Sequence, residues 1–330
     1  MQKNRVVFDF GSTYFTIYGD GRVLLRRPAA LIVKRSLRPV AVAIGEAAVK
    51  MRYDIDEDEM FLRPVIKGAV AHKFGCALLV KEYLSEACGR FSNPSVCVLI
   101  GCGLNPEQKL EIERTFIDAG YTDIFLMESL LGLMPYLHER NIKAAAIIGG
   151  ETTEIGLFEG GKLISGYSLD IGANTVNERI KDFVKESYKL IISDESAEEL
   201  KINASSLYSN DLSKCAVTGS DALTGRGKRL VLTARELHSE VLYVYGRILK
   251  VLDAALLAAP METARTVAGT GILFTGYGSL QVGFRDFTTK TLKVPATIVG
   301  PEENIVFSGA LYLSSQEDFI SSYLRLEKNA

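Results

Sequence analysis

No stretch of this chain approaches the roughly 20 consecutive apolar residues of a membrane-spanning helix. Charge of one sign is missing too. Lys plus Arg number 38 and Asp plus Glu 40, a net charge of −2. No polyelectrolyte face follows, so nucleic acid is not an implied partner. Histidine is scarce: His72, His138 and His238 are scattered, which argues against a histidine metal site. The five cysteines (Cys76, Cys88, Cys97, Cys102, Cys215) are odd in number and form no C-x-x-C pair. Most sit in apolar stretches and read as buried, inert thiols in a reducing cytoplasm. The opening MQKNRVVFDF lacks an apolar h-region and a cleavage site, so secretion is not expected.

What is present is ordinary globular material. Apolar residues make up 47% and charged residues 24% of 330. That length suits two domains better than one core. "RVVFDFGSTYFTIYGDGRVLL" (5–25) reads strand, turn, strand, turn, strand, with Val6, Phe8 and Phe10 alternating. Residues 29–45 add short strands. "FGCALLVKEYLSEAC" (74–88) has helical spacing, and "SVCVLIGCG" (95–103) reads as a buried strand before a glycine turn. "NPEQKLEIERTFIDAG" (105–120) is a helix with Asn105 as N-cap, Pro106 at N1 and Gly120 just past its end. "IFLMESLLGLMPYLHER" (124–140) passes from a strand into a helix. Long helical stretches at 175–190 and 233–258 flank a capped helix starting at Ser193 or Asp194. "GILFTGYGSL" (271–280) is a strand ending in a glycine turn. Residues 294–315 read as strand, Gly-Pro turn and helix.

One pattern occurs twice. Asp9-Phe10-Gly11-Ser12-Thr13 and Ile147-Ile148-Gly149-Gly150-Glu151-Thr152-Thr153 each follow an apolar strand. Each precedes a strand and a glycine hairpin, Gly19-Asp20-Gly21 in one copy and Gly160-Gly161 in the other. Facing glycine turns can clamp nucleotide phosphates with backbone donors. A repeat on this scale predicts two like domains with a ligand cleft between them.

These motifs, in this order, resemble the actin-like ATPases and, among them, the MreB family of bacterial cell-shape proteins. "FDFGSTYFTIY" is similar to the first phosphate loop, and "FLRPVIKGAVAHKF" to an Arg-Pro-x-x-x-Gly-x-x-Ala segment. "LMESLLGL" resembles the helix of the catalytic glutamate, and "IIGGETTEIGLF" the second phosphate loop. "ESAEELKI" resembles the adenosine-side helix, and "GILFTGYGSL" the adenosine loop. The resemblance implies an α/β fold of the actin-like, ribonuclease H-like duplicated kind, with two domains and a central nucleotide cleft. Domain I would span 1–138 with a small insert near 29–73. Domain II would span 139–330 with an insert near 175–232, its C-terminal segment packing back on domain I.

The resemblance also implies roles. Asp9 would hold Mg2+ through water, while Gly11, Ser12 and Thr13 wrap the β-phosphate of ATP or ADP. Gly149, Gly150, Glu151 and Thr152 would form the second loop. Glu128 would position the attacking water, helped by Thr152 or Thr153. Glu198 and Lys201 would lie near ribose and adenine, with Gly276, Tyr277 and Gly278 closing over the base. The family is cytoplasmic, self-associates into filaments at the inner membrane surface and works with inner-membrane cell-shape or division proteins.

The departures bear on chemistry. Ile147 stands where the family has an aspartate, and Glu151 where it has a third glycine. A Gly-Asp-x-x-Asp segment appears as "IGANTVNE", with Ala173, Asn174 and Asn177 in place of the glycine and both carboxylates. A further family aspartate falls at or beside His72, and Tyr277 replaces a glycine. A carboxylate at contact distance from a triphosphate is repelled by roughly 3–4 kcal/mol per unit charge at an effective dielectric near 20. That costs about a hundredfold in affinity unless a cation intervenes. Glu151 is thus either a relocated Mg2+ ligand or a solvated side chain on a loop that no longer holds a γ-phosphate; the second reading is favoured, because the other carboxylates are lost as well. Plainer readings stand beside the rest. Asp9 can satisfy its own turn, and Glu128 can be a helix N-terminal acid. Thr152 and Thr153 can be strand residues. Glu198 and Lys201 can be a solvated helix face, and Tyr277 can stack on a base or plug the pocket. Two functions follow: a nucleotide-binding, filament-forming cytoskeletal protein with weak or absent ATP hydrolysis, or a non-filament pseudo-ATPase adaptor of the FtsA/PilM type. Arg90 and Phe91, in "GRFSNPS", offer a small peripheral membrane anchor.

Overall fold

The computed structural model describes residues 5–36, 39–90 and 92–329, and side chains through Tyr323. Phe91 and residues 1–4 lie outside the described residues. Among the described residues no helix is long and apolar enough to cross a membrane. The chain divides into two units. One runs to Glu139 and resumes at Asn304; the other is Arg140–Glu303.

The N-terminal unit starts with β1 (Arg5–Phe10), β2 (Tyr14–Gly19) and β3 (Arg22–Pro28). The tight turn between β2 and β3 uses Asp20 and Gly21, both at positive φ, as a two-residue hairpin of matching twist requires. An insert follows: β4 (Leu31–Lys34), β5 (Val40–Ile44), α1 (Gly45–Met51) and β6 (Glu59–Leu62), then the short hairpin β7 (Val65–Ile66) and β8 (Ala69–Val70). Helix α2 (Lys73–Cys88) leads to β9 (Ser95–Ile100), α3 (Pro106–Asp118) and β10 (Ile124–Glu128). Asn105 and Gln108 close a capping box on α3, and Gly120 sits at φ +97° just past it.

The main sheet has the order β10-β9-β1-β2-β3, antiparallel through the two hairpins and parallel on the other side. Alternation sends Val6, Phe8 and Phe10 to one face, where α2 and α3 bury them. Phe8 meets Phe15 and Phe116 edge-on, with ring centroids 5.1 Å apart in each pair. Each such ring contributes about 1.5–3 kcal/mol by burial.

A 3-10 turn (Ser129–Leu133) and α4 (Met134–Glu139) close the segment. The second unit then repeats the plan. It comprises β11 (Ala144–Ile148), β12 (Thr153–Glu159), β13 (Lys162–Leu169), α5 (Ala173–Tyr188), β14 (Leu190–Ile191), α6 (Asp194–Ala204), β15 (Lys214–Asp221) and β16 (Gly227–Thr233). Helices α7 (Ala234–Leu257) and α8 (Met261–Thr270), strand β17 (Ile272–Thr275), α9 (Phe284–Leu292) and β18 (Ala296–Ile298) follow. Its sheet order, β13-β12-β11-β17-β18, matches the first strand for strand in direction. The hairpin matches as well: Gly160 and Gly161 have positive φ, and both sheets shift register two residues before the turn.

The capped helix starts at Ser193, and the strand, Gly-Pro turn and helix near 294–315 are present. The sequence reading missed the β15–β16 hairpin, α8 and the last helix. Of the five cysteines only Cys76 and Cys97 are buried, which corrects the expectation for the rest. Burial pushes both of those thiols up to about 12.

From Asn304 the chain returns to the N-terminal unit with α10 (Ile305–Leu313) and α11 (Glu317–Asn329). Helix α10 crosses the 3-10 turn backbone to backbone. A Cβ on Gly309 would run into the carbonyl oxygen of Gly132, and a Cβ on Gly132 into that of Val306. Neither atom can yield without moving the main chain, so overpacking costs of about 1–3 kcal/mol apply. Gly309→Val is expected to lower the thermal midpoint by several degrees, read by circular dichroism, whereas Gly246→Ala, in open space on α7, leaves it unchanged or raised.

Candidate functional site

In the N-terminal unit the first turn, Gly11-Ser12-Thr13, joins β1 to β2 where Phe10 pairs with Phe15. Gly11 is required there, because a Cβ would lie 2.6 Å from the Tyr14 carbonyl oxygen. The buried Ser12 hydroxyl accepts from the Gly68 N–H at 3.0 Å. Its own proton therefore remains for donation. Thus the Arg63–Ala71 segment, similar to the family's Arg-Pro motif, orients the first turn. His72 is the N-cap of α2, with Nδ1 accepting from Gly75 N at 3.1 Å.

Asp9 lies on the face of β1 opposite the phenylalanines. Burial pushes its carboxyl up to about 7, against a smaller downward pull from Arg26. Glu128 departs from the expectation. It ends strand β10 rather than entering a helix, and a 3-10 turn separates it from α4. Its carboxylate stands 3.5 Å from Lys109 Nζ.

In the second unit the turn is held from behind by α5. The Ala173 and Asn174 N–H groups donate to the carbonyls of Gly149 and Gly150 at 2.9 and 2.7 Å. A trans peptide points its N–H opposite its C=O. The N–H groups of Gly150 and Glu151 therefore point away from α5, as two adjacent donors suited to an anion. Gly172 permits this approach, since a Cβ there would lie 2.5 Å from the Gly150 oxygen. Gly149 closes the turn by donating to the Thr152 carbonyl at 2.9 Å.

Thr153 corrects the expectation for a water-orienting hydroxyl. It is fully buried, and Oγ1 donates to the Ile171 carbonyl at 2.6 Å. Thr152 is the partly exposed threonine of the pair. Glu151 is partly buried rather than fully solvated. The sequence reading passed over Glu154. It pairs directly across from Ile147 and is only 7% exposed. A carboxylate thus stands one strand over from Ile147. Counting seven residues on from Ile147 through a tight turn would have found it.

Lys201 is enclosed, while the Glu198 side chain stays 43% exposed. Lys201 Nζ lies 2.7 Å from Glu198 Oε2 and 3.4 Å from the Ala173 carbonyl, with a side chain 11% exposed. Asn177 Nδ2 donates to the same carboxylate at 2.7 Å, while its buried Oδ1 has no partner. That orphan acceptor fits a ligand hydroxyl or amine. Gly276 and Gly278 pack on Ile148 so closely that neither tolerates a Cβ. Tyr277, between them, is 56% exposed, which fits a stacking surface and not a plug.

The structure thus brings Asp9, Gly11, Ser12 and Thr13 together in one unit, with Glu128 two strands away. In the other unit it gathers Gly149 to Thr153 with Gly276 and Gly278, and joins Glu198 and Lys201 to α5. Among the described residues no group of three or more His, Cys, Asp or Glu side chains forms a metal site. Mg2+ commonly takes one or two carboxylates plus phosphates and water, so Asp9 fits that ion only together with a nucleotide.

A family model described as MreB/Mbl protein matches residues 3–321. The cell shape-determining protein Mbl of Bacillus subtilis (strain 168) is 21% identical over 298 residues, covering 88% of this chain and 89% of the relative. The cell shape-determining protein MreB of Escherichia coli (strain K12) is 24% identical over 292 residues, covering 85% and 84%. Among solved structures, MreB5 of Spiroplasma citri bound to AMPPNP superposes with a TM-score of 0.86 at 20% identity, covering 99% of both chains. A MamK double helical filament gives 0.79 at 16% identity, covering 95% and 99%. These likenesses establish the actin-like fold.

The raised Asp9 pKa sets a pH dependence. Between about pH 4 and pH 7 the folded chain keeps a proton that the unfolded chain releases, so stability falls as pH rises. Without nucleotide or metal, Asp9→Asn is expected to raise the melting temperature at pH 8 and change little at pH 4. Three pKa units set a ceiling of roughly 4 kcal/mol. A lower melting point at pH 8 would mean that the ionised carboxylate stabilises the fold.

Proposed function

Because the chain belongs to the MreB/Mbl family of cell-shape cytoskeletal proteins, we propose that it binds ATP and ADP, assembles into filaments and hydrolyses ATP slowly or not at all. The observation that carries the nucleotide reading is the outward pair of N–H groups at Gly150 and Glu151, held by α5. The first turn is shaped in kind, with Gly11 in a cradle a Cβ would fill and a Ser12 proton to donate. The orphan Asn177 Oδ1, beside Glu198 and Lys201, suits a ribose hydroxyl. MreB5 of Spiroplasma citri has been solved bound to AMPPNP and to ADP, and MamK as a double helical filament. The adaptor reading is less well supported, because the family model matched is MreB/Mbl.

Slow hydrolysis follows from what the site lacks. Ile147 cannot hold metal-bound water, Thr153 spends its hydroxyl proton on Ile171, and Glu128 is engaged with Lys109. Location in the cytoplasm at the inner membrane surface, and work with inner-membrane cell-shape proteins, belong to the same proposal.

Sedimentation and negative-stain microscopy with and without nucleotide test assembly; no polymer in any nucleotide state would favour the adaptor. Steady-state phosphate release is expected to be slow or undetectable. Robust Mg2+-dependent turnover lost in Glu151→Gln would instead make Glu151 the relocated metal ligand. Glu151→Gly is expected to tighten ATP binding more than ADP by calorimetry, because a repulsion of a few kcal/mol near the γ-phosphate is removed. Weaker Mg-ATP binding with metal-free nucleotide unchanged would reverse that reading.

A further inference from the structure

One row of the N-terminal sheet carries charge across three strands. Asp9 of β1 pairs with Thr16 of β2, and Thr16 with Arg26 of β3. Side chains in register share a face, so these three stand side by side. Theirs is the face opposite Phe8, Phe10, Phe15 and Ile17, which enter the core. Tyr14, two residues before Thr16, shares that face. The Arg26 guanidinium carbon lies 4.1 Å from the centre of the Tyr14 ring. Tyr14 directly follows Gly11-Ser12-Thr13, so the stack parks a cation beside the first glycine turn. Arg26 also acts electrostatically on Asp9. Arg27, on the opposite face, reaches Glu86 at 2.8 Å and Glu46 at 3.4 Å.

We propose that Arg26 is a phosphate-binding residue, its guanidinium taking phosphate oxygens of a nucleotide at the first glycine turn so that binding depends only weakly on a divalent cation. This rests on the nucleotide reading above. A guanidinium stays charged at any working pH, and its planar fork matches two phosphate oxygens at once. The stack on Tyr14 restricts a long side chain in advance, which lowers the ordering cost of binding. Its backbone is a rung of a five-stranded sheet, a rigid mount for a ligand contact. The row carries a single carboxylate, Asp9, already facing that positive charge, so a divalent ion would compete with a resident cation.

The test is equilibrium binding of ATP and ADP, by calorimetry or with a fluorescent analogue, in Mg2+ and in EDTA. The unaltered chain, Arg26→Gln, Arg26→Lys and Arg22→Gln are compared. Arg22 is exposed at the far end of the same hairpin, so its variant removes equal charge away from the turn. The unaltered chain is expected to bind in EDTA nearly as well as in Mg2+. Arg26→Gln should weaken ATP about tenfold or more, as loss of a charge-assisted pair does. Arg26→Lys should fall between, and Arg22→Gln should bind like the parent. Melting curves show whether each variant is folded, and Arg26→Lys carries the test should Arg26→Gln not fold. Equal binding by Arg26→Gln and the parent overturns this inference alone, as does equal weakening by Arg22→Gln or binding abolished by EDTA. No binding by the unaltered chain overturns the nucleotide reading and this inference with it.

Discussion

Two hydrogen bonds shape the second unit's functional end: those from the first amides of α5 to the carbonyls of Gly149 and Gly150. They turn the loop's acceptors inward and its donors outward. Gly172 must lack a side chain for the approach, and Thr153 must anchor Ile171 from the neighbouring strand. The glycines of the 276–278 turn then fit over Ile148, the residue that delivers the loop. Local sequence, turn shape and packing serve one end, a backbone surface presented to an anion.

The same surface is where the resemblance to the family reads as least complete. Ile147 is aliphatic, yet Glu154 places a carboxylate one strand away. In the other unit the corresponding row runs Asp9, Thr16, Arg26. The two halves share a backbone plan and differ in the charges of this row, which in the second unit runs Ile147, Glu154, Ser168. A scaffold that satisfies its own hydrogen bonds can tolerate such differences, because the charged side chains are not what holds it up.

The duplicated plan was legible because its signals are local. An apolar strand, a glycine turn, a second strand and a two-residue glycine hairpin read directly from residues 5–25 and 144–164. The cap at Asn105 was equally plain, and the one at Ser193 was narrowed to two neighbouring positions. What was not legible depends on register or burial. "SLLGL" has helical composition but winds as a 3-10 turn, which left Glu128 on a strand. The β15–β16 hairpin turns only Cys215, Val217, Leu230 and Leu232 toward the core, an alternation too short to stand out among its polar neighbours. Glu154 and Arg26 gain meaning only once strand pairing is known. Glu198 and Lys201 have the spacing of a solvent-facing pair, and only their contacts with α5 show that the lysine is enclosed.

The crossing of Gly309 over Gly132 has a consequence for biosynthesis. The N-terminal unit receives α10 and α11 from the end of the chain. During translation its first 139 residues leave the ribosome early, but the helix that seats on Gly132 emerges only after residues 140–303 have been made. The second unit has its whole sequence available first. Domains fold as units as they emerge, so the continuous unit can complete while the discontinuous one waits with its α10 surface uncovered. Premature termination anywhere before residue 304 would leave that surface bare.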